Sequence, residues 1–199
     1  MHLPTWVDVL EPYGVEVDEE FYKQSISGRD TSGIVRDLLP ELSDEENRSI
    51  GDAKEASFRE RASELETLPG LVDFIERGRE RGMKIALVTN APEENVEAIL
   101  LALELGDFFD AIVLADEVEA VKPDPAPYRA ALNKSGVRAE EALAFEDSVS
   151  GISSSVAAGV PTVGITSSQD PQRLLDAGAF MTAQDFTDPQ LRAMIHAQA

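Results

Sequence analysis

Residues 84–92 read Lys-Ile-Ala-Leu-Val-Thr-Asn-Ala-Pro, and this stretch decides the fold class. The run 84–88 is short and largely apolar, which is typical of a strand buried in a parallel sheet. Pro92 then suits the first turn of a helix, and residues 96–103 carry an apolar helical face. A buried strand followed at once by a helix predicts an α/β fold.

The same alternation continues towards the C-terminus. Further apolar runs predict strands at 111–114, 142–145, 161–165 and 179–182. Because helical patterns separate these runs, residues 68–199 are expected to form a Rossmann-like parallel sheet with helices on both faces. Residues 4–67 carry helical patterns only, and we expect them to form a separate helical domain.

The composition narrows the class of function. The chain has 199 residues and no cysteine, which excludes disulfides, thiol nucleophiles and cysteine-held metals. Asp and Glu number 38 against 17 Lys and Arg, and the net charge of −21 disfavours binding to nucleic acid or anionic membranes. Without a membrane-length apolar run or a signal-peptide pattern, we expect a soluble cytoplasmic protein. We interpret the excess of acidic residues as a solvated protein surface. A protein that works in a high-salt environment is the alternative.

Polar side chains follow three of the predicted strands. Thr89 and Asn90 come after the first, Lys122 lies in a proline-stiffened loop after the second, and Glu146 and Asp147 end the third. Singly, these residues are explained as helix caps or a surface lysine. Ligands of parallel sheets bind beyond the carboxyl ends of the strands, so we expect the set to converge on one crevice. Helix starts bind anions and carboxylates suit Mg²⁺, which favours a phosphate site.

Three segments resemble motifs of the haloacid dehalogenase superfamily, in the helical-cap branch with β-phosphoglucomutase-like and sugar-phosphatase-like members. They are Leu87–Ala91, Val121–Pro125 and Phe145–Ser148, the last with Gly151 and Ala157–Gly159 beyond it. The resemblance implies a catalytic set of Thr89, Asn90 and Lys122. In it, Thr89 hydrogen-bonds the transferring phosphoryl group and Lys122 neutralises negative charge. It also implies that Glu146 and Asp147 bind Mg²⁺.

Residues 4–67 resemble the cap of that branch, which selects the substrate. Ile26–Arg29 is similar to the cap loop that reaches into the active site, so the resemblance implies that Arg29 contacts substrate. Alternatively, Arg29 is an ordinary loop residue that is exposed to solvent. Lys54 and His2 are the other candidate substrate contacts. Relatives of this type are often monomers, and a monomer is expected here.

One motif of the family is absent from the sequence. The first motif, Asp-x-Asp-Gly-Thr or Asp-x-Asp-Gly-Val, supplies the nucleophile and the general acid–base, and it occurs nowhere in the 199 residues. Met1-His2-Leu3 stands where the family has a Leu-His pair soon after that motif. We therefore expect an N-terminally truncated chain, with a genuine short protein without catalysis as the alternative. The absent strand is central in the family, so either a gap between residues 84–88 and 142–146 or a close approach of these two strands is expected.

The resemblance implies a Mg²⁺-dependent phosphatase. In the complete protein it would hydrolyse a small phosphorylated metabolite, such as a sugar phosphate, through an aspartyl-phosphate intermediate. The chain as given is expected to be inactive because the nucleophile is missing. A β-phosphoglucomutase-type phosphosugar mutase and a non-catalytic metabolite-binding remnant are the alternatives. 2-Haloacid dehalogenation needs no metal, so the carboxylate pair Glu146-Asp147 argues against it.

Overall fold

The computed structural model describes residues 2–26, 29 and 31–197, which fold into two compact units. The first unit comprises Met1–Leu65 and Glu94–Leu103, and the second comprises Glu66–Glu93 and Glu104–Ala199. Within the described ranges, no helix combines the length and the apolar character needed to cross a membrane.

The described residues contain ten α-helices and five strands, besides short 3-10 and π-helical segments and loops. The helices are α1 (His2–Leu10), α2 (Glu19–Phe21), α3 (Thr31–Leu38), α4 (Asp44–Glu60), α5 (Leu71–Glu80), α6 (Glu93–Ala102), α7 (Ala126–Ser135), α8 (Val149–Ala157), α9 (Pro171–Asp176) and α10 (Pro189–Ala197). The strands are β1 (Ala86–Val88), β2 (Ala111–Val113), β3 (Ala144–Glu146), β4 (Thr162–Ile165) and β5 (Met181–Ala183).

The first unit is held together by an apolar core between its helices. Trp6 and Leu10, four residues apart on α1, pack with Ile34 of α3 and Ile50 of α4, and all four are buried. The spacing places each set of apolar residues on one helix face, which is the pattern that helix packing needs.

Helix α4 begins at a capping box. Ser43 Oγ accepts a hydrogen bond from Glu46 N at 3.3 Å, and Glu46 Oε2 accepts one from Ser43 N at 2.9 Å. The two bonds satisfy backbone donors that have no partner inside the helix.

Ser43→Ala is expected to lower the free energy of unfolding by about 1 kcal/mol, because it removes the side-chain acceptor of this box. Ser49→Ala is the matched control, since Ser49 is exposed within α4 and alanine favours helix. Urea denaturation of both variants measures the difference, and equal stabilities for the two variants would contradict the assigned cap.

The second unit contains all five strands, and every pairing between them is parallel. β1 pairs with β2, with Ala86 opposite Ala111. β3 pairs with β4, and β4 pairs with β5, with Val163 opposite Met181. The predicted α/β class and its five strands are therefore confirmed, although each strand is one to two residues shorter than, or offset from, its apolar run.

The strands form two sheets rather than one. One sheet has the order β1-β2 and the other has the order β3-β4-β5. In the part of the chain that the structure describes, no ladder joins β1 to β3, and this break lies where the sequence predicts a gap. Residues 84–88 are consequently less buried than a central strand would be, since Ala86 is exposed, whereas every residue of β4 is buried.

An aromatic cluster closes the second sheet on one face. Phe74 of α5, Phe145 of β3 and Phe186 have ring centroids 5.2–5.3 Å apart, and the Phe74 and Phe145 rings meet edge to face. Val163 and Leu191 pack in the same core and are fully buried. This packing fixes β3, and β3 in turn ends at the candidate site.

Candidate functional site

Lys122 bridges the ends of two strands that belong to different sheets. Its ammonium donates to the carbonyl oxygen of Val88, the last residue of β1, at 2.9 Å. It also forms an ion pair with the carboxylate of Glu146, the last residue of β3. The ammonium lies 5.4 Å from the ring centroid of Tyr128, within the range of a cation–π contact. The side chains of Lys122 and Glu146 are 10% and 7% exposed, so the pair is buried.

The backbone of Lys122 is held by the side chain of Asn90. Asn90 Nδ2 donates to the Lys122 carbonyl oxygen, and Asn90 Oδ1 accepts from the Lys122 amide, both at 3.2 Å. Two residues further on, the Asp124 carbonyl oxygen accepts from the fully buried Ser154 hydroxyl at 2.5 Å. Asn90 and Ser154 therefore fix the loop that presents the ammonium.

Glu146 is enclosed by three neighbours. Tyr128 donates a hydrogen bond from its hydroxyl to Oε1 of Glu146 at 2.6 Å, and Lys122 pairs with the same oxygen. On the other side, Gly151 of α8 leaves no room, because a Cβ there would lie 1.8 Å from Oε2 of Glu146. The carboxylate is thus confined between α7 and α8.

Tyr128 was not singled out from the sequence. It is the third residue of α7 and is 8% exposed, and a buried aromatic residue near a helix start is most simply explained as core. Burial first, and then the charge of Glu146, raise the pKa of Tyr128 far above its ordinary value, so the hydroxyl stays a proton donor. Ser154 was missed for a similar reason, since a small residue within a helix carries no chemical signal.

Thr89 caps the turn that leads into α6. Its Oγ1 accepts from the Ala91 amide at 3.0 Å, and its own amide donates to the Val113 carbonyl oxygen at 3.1 Å. Thr89 is thus the residue that follows β1, whose last carbonyl oxygen accepts from Lys122. Described contacts bring Asn90, Lys122 and Glu146 together where β1 and β3 end, and Thr89 precedes Asn90 along the chain.

Asp147 follows Glu146 but is exposed. Its carboxylate accepts from the Ser167 hydroxyl at 3.3 Å, and its carbonyl oxygen accepts from the Ser168 hydroxyl at the same distance. Two neighbouring carboxylates are hard oxygen donors of the kind that Mg²⁺ prefers. Over the described residues, no cluster of three or more acidic or histidine side chains forms around them. The donor chemistry of these two carboxylates therefore suits Mg²⁺.

The remaining candidate residues belong to the first unit. Arg29 donates to the Ser25 carbonyl oxygen at 3.0 Å and forms an ion pair with Asp37. Lys54 is buried, pairs with Glu55 at 2.8 Å, and lies 6.0 Å from the Trp6 ring centroid and 5.9 Å from that of Phe58. The side chain of His2 lies outside the described part of the chain.

Comparison with known proteins places the chain in a family. Residues 3–165 match the family described as haloacid dehalogenase-like hydrolase. The chain therefore belongs to the haloacid dehalogenase-like hydrolases.

Individual relatives are named phosphatases. The chain is 30% identical over 177 residues to a phosphorylated carbohydrates phosphatase of Thermotoga maritima, covering 86% of this chain and 81% of that protein. It is 35% identical over 118 residues to a phosphoglycolate phosphatase of Rhodospirillum rubrum, covering 59% of this chain and 49% of that protein. The chain thus spans only about half the length of some relatives that it matches.

A solved structure agrees with the fold. CbbY from Rhodobacter sphaeroides, solved in complex with phosphate, superposes with a TM-score of 0.77 at 26% identity. The match covers 94% of this chain and 88% of that one. The α/β architecture described above is therefore the architecture of this hydrolase family.

Proposed function

We propose that this chain carries the charge-neutralising part of a Mg²⁺-dependent phosphatase for small phosphorylated metabolites, with sugar phosphates as the substrate class. The observation that carries the proposal is the buried Lys122 ammonium at the joint end of β1 and β3. The names of the relatives, a phosphorylated carbohydrates phosphatase among them, support the substrate class. A phosphosugar mutase would use the same core, and no contact in the structure favours it.

Lys122 is suited to stabilise a phosphoryl group because its position is fixed in advance. Asn90 and Ser154 hold its loop from either side, so little reorganisation is needed when charge develops nearby. A buried ammonium also acts in a low-dielectric environment, where its effect on a phosphate exceeds that of a surface lysine. The Thr89 hydroxyl, next to the same strand end, is the proposed donor to a phosphoryl oxygen.

Glu146 and Asp147 are the proposed ligands of Mg²⁺. The ion would supply positive charge to the phosphate oxygens. Asp147 is the more accessible of the two, while Glu146 is buried and shares its Oε1 with Lys122 and Tyr128. We also propose Arg29, Lys54 and His2 as substrate contacts. Arg29 is the stronger candidate of the first two, because its guanidinium is half exposed whereas the Lys54 side chain is buried.

The nucleophile of the proposed reaction is an aspartate carboxylate that attacks phosphorus and displaces the substrate alcohol, which leaves with a proton as the P–O ester bond breaks. Water then hydrolyses the aspartyl phosphate to inorganic phosphate and restores the carboxylate. None of the carboxylates at the site is assigned this role, since Glu146 is ion-paired and Asp147 is a proposed metal ligand. The 199 residues contain no Asp-x-Asp-Gly sequence. We therefore propose that this chain alone does not form the intermediate.

The experiment compares the 199-residue chain with a chain extended at its N-terminus by a designed strand ending in Asp-Val-Asp-Gly-Thr. We expect Mg²⁺-dependent hydrolysis of sugar phosphates and of an aryl phosphate by the extended chain only. The matched control carries asparagine in place of the first aspartate of the extension, and it should be inactive. Lys122→Ala in the active form should lower kcat at least about 100-fold, the size of effect seen when a preorganised electrostatic donor is removed.

Two results would count against the proposal. Robust Mg²⁺-dependent turnover by the 199-residue chain itself would contradict the assignment of the nucleophile. Binding of inorganic phosphate that is equally strong in the native chain and in Lys122→Ala would contradict the role of the ammonium, independently of the extension.

A further inference from the structure

We propose that Tyr128 is a positioning residue of this site, whose hydroxyl fixes the carboxylate of Glu146 in the orientation that serves a divalent cation. The identity of the cation rests on the proposed function. The contact between the tyrosine and the glutamate does not, because it is present in the structure itself.

The ring and the hydroxyl of Tyr128 have separate uses. The ring packs in an apolar cluster with Ala144 and Val160, against the partly buried Val88 and Leu132. A phenylalanine would fill the same space. The hydroxyl adds one interaction, the 2.6 Å hydrogen bond to Oε1 of Glu146. A buried tyrosine hydroxyl must find such a partner, and here the partner is a proposed metal ligand.

The two donors to Glu146 differ in how firmly they are held. Lys122 has a flexible side chain and a second acceptor, the Val88 carbonyl oxygen, so its ammonium can turn towards a phosphate. Tyr128 has a rigid ring that is enclosed in the core. When the ammonium turns away, the tyrosine hydroxyl remains as the donor that keeps the buried carboxylate satisfied.

The opposite side of the carboxylate is fixed by the backbone of α8. Oε2 of Glu146 lies against Gly151, at a place where no side chain fits. Both described hydrogen bonds go to Oε1, whereas Oε2 packs most closely against the α8 backbone at Gly151. The hydroxyl bond to Oε1 and the packing of the carboxylate on Gly151 together restrict its orientation. Outer partners of this kind orient metal ligands in many proteins.

The test uses Tyr128→Phe in the full chain, with Tyr13→Phe as the control because Tyr13 is 45% exposed and lies in the first unit. The first readout is the ¹³C NMR signal of the Glu146 side-chain carboxyl group without metal. We expect Tyr128→Phe to shift this signal and to leave the other glutamate signals in place. The second readout is a Mg²⁺ titration followed by amide signals of Glu146 and Asp147, in which the dissociation constant should rise about tenfold.

The outcomes separate this inference from the proposed function. An unmoved Glu146 signal in Tyr128→Phe overturns the inference whatever Mg²⁺ does. So does a shifted signal with an unchanged dissociation constant. If the native chain binds no Mg²⁺ while the Glu146 signal shifts, the proposed metal ligand set fails and the positioning of Glu146 by Tyr128 stands. Tyr13→Phe should change neither readout.

Discussion

Replacing Lys122 by methionine is expected to lower the free energy of unfolding by about 3–5 kcal/mol. The substitution keeps the apolar stem and removes the ammonium, so Glu146 stays behind as a buried carboxylate with only the Tyr128 hydroxyl as donor. It also removes the hydrogen bond from the ammonium to the Val88 carbonyl oxygen, by which Lys122 joins the end of β1 to Glu146 at the end of β3. Urea denaturation followed by circular dichroism measures the loss.

Lys134 provides a closely matched control. Its ammonium also bonds to a strand carbonyl oxygen, that of Ile112, and to a carboxylate, that of Glu117, at 2.8 and 2.9 Å. The difference is exposure, because the Lys134 and Glu117 side chains are 42% and 43% exposed. Lys134→Met should therefore lower the unfolding free energy by less than about 1 kcal/mol.

The second partner of the pair supplies a further check. Lys122→Met combined with Glu146→Gln should be more stable than Lys122→Met alone, because the neutral amide removes the uncompensated charge. Equal losses for Lys122→Met and Lys134→Met, or no recovery in the double variant, would show that the buried pair does not hold the site together.

Replacing Gly151 by alanine is expected to lower the free energy of unfolding by about 3 kcal/mol, even though alanine is the better helix former. The added Cβ would lie 1.8 Å from Oε2 and 2.2 Å from Cδ of Glu146, so the carboxylate has to move. It cannot move without losing its bonds to Lys122 and Tyr128. The cost is therefore that of overpacking together with the weakening of a buried ion pair.

Gly51→Ala is the control for helix propensity. Gly51 also lies within a helix, α4, and its Cβ would meet only the Thr31 methyl group at 3.5 Å, an ordinary contact. This substitution should raise stability by up to about 1 kcal/mol. In a Glu146→Ala background, Gly151→Ala should cost little, since the obstructing carboxylate is gone. A stabilising effect of Gly151→Ala in the native background would contradict the enclosed position of Glu146.

The sequence predicts the order and type of the secondary-structure elements better than it predicts their burial and contacts. Five apolar runs of strand length, separated by helical patterns, suffice to predict a parallel α/β fold. They do not predict that β1 is half exposed, because exposure depends on which strands are paired. Lys122 and Glu146 are predicted to meet at the strand ends, and in the structure they form an ion pair there.

The supporting residues are beyond sequence reasoning for a physical reason. Tyr128 and Ser154 act through the direction of a hydroxyl group, which only the packed fold specifies. Gly151 belongs to a family motif, but its close approach to the Glu146 carboxylate is also a property of the packed fold. Asn90 was predicted as part of a catalytic set, and in the structure its amide is spent on the backbone of Lys122.

The break between the two sheets has a consequence for self-association. Over the described residues, β1 and β3 each have a ladder neighbour on one side only, and such strand edges are templates for adding another chain. The net charge of −21 makes two copies repel each other, so the acidic surface protects these edges against aggregation. At 1 M salt the Debye length is about 3 Å, so the repulsion between two copies is largely screened. Resistance to association through the two strand edges then depends on the side chains that flank them.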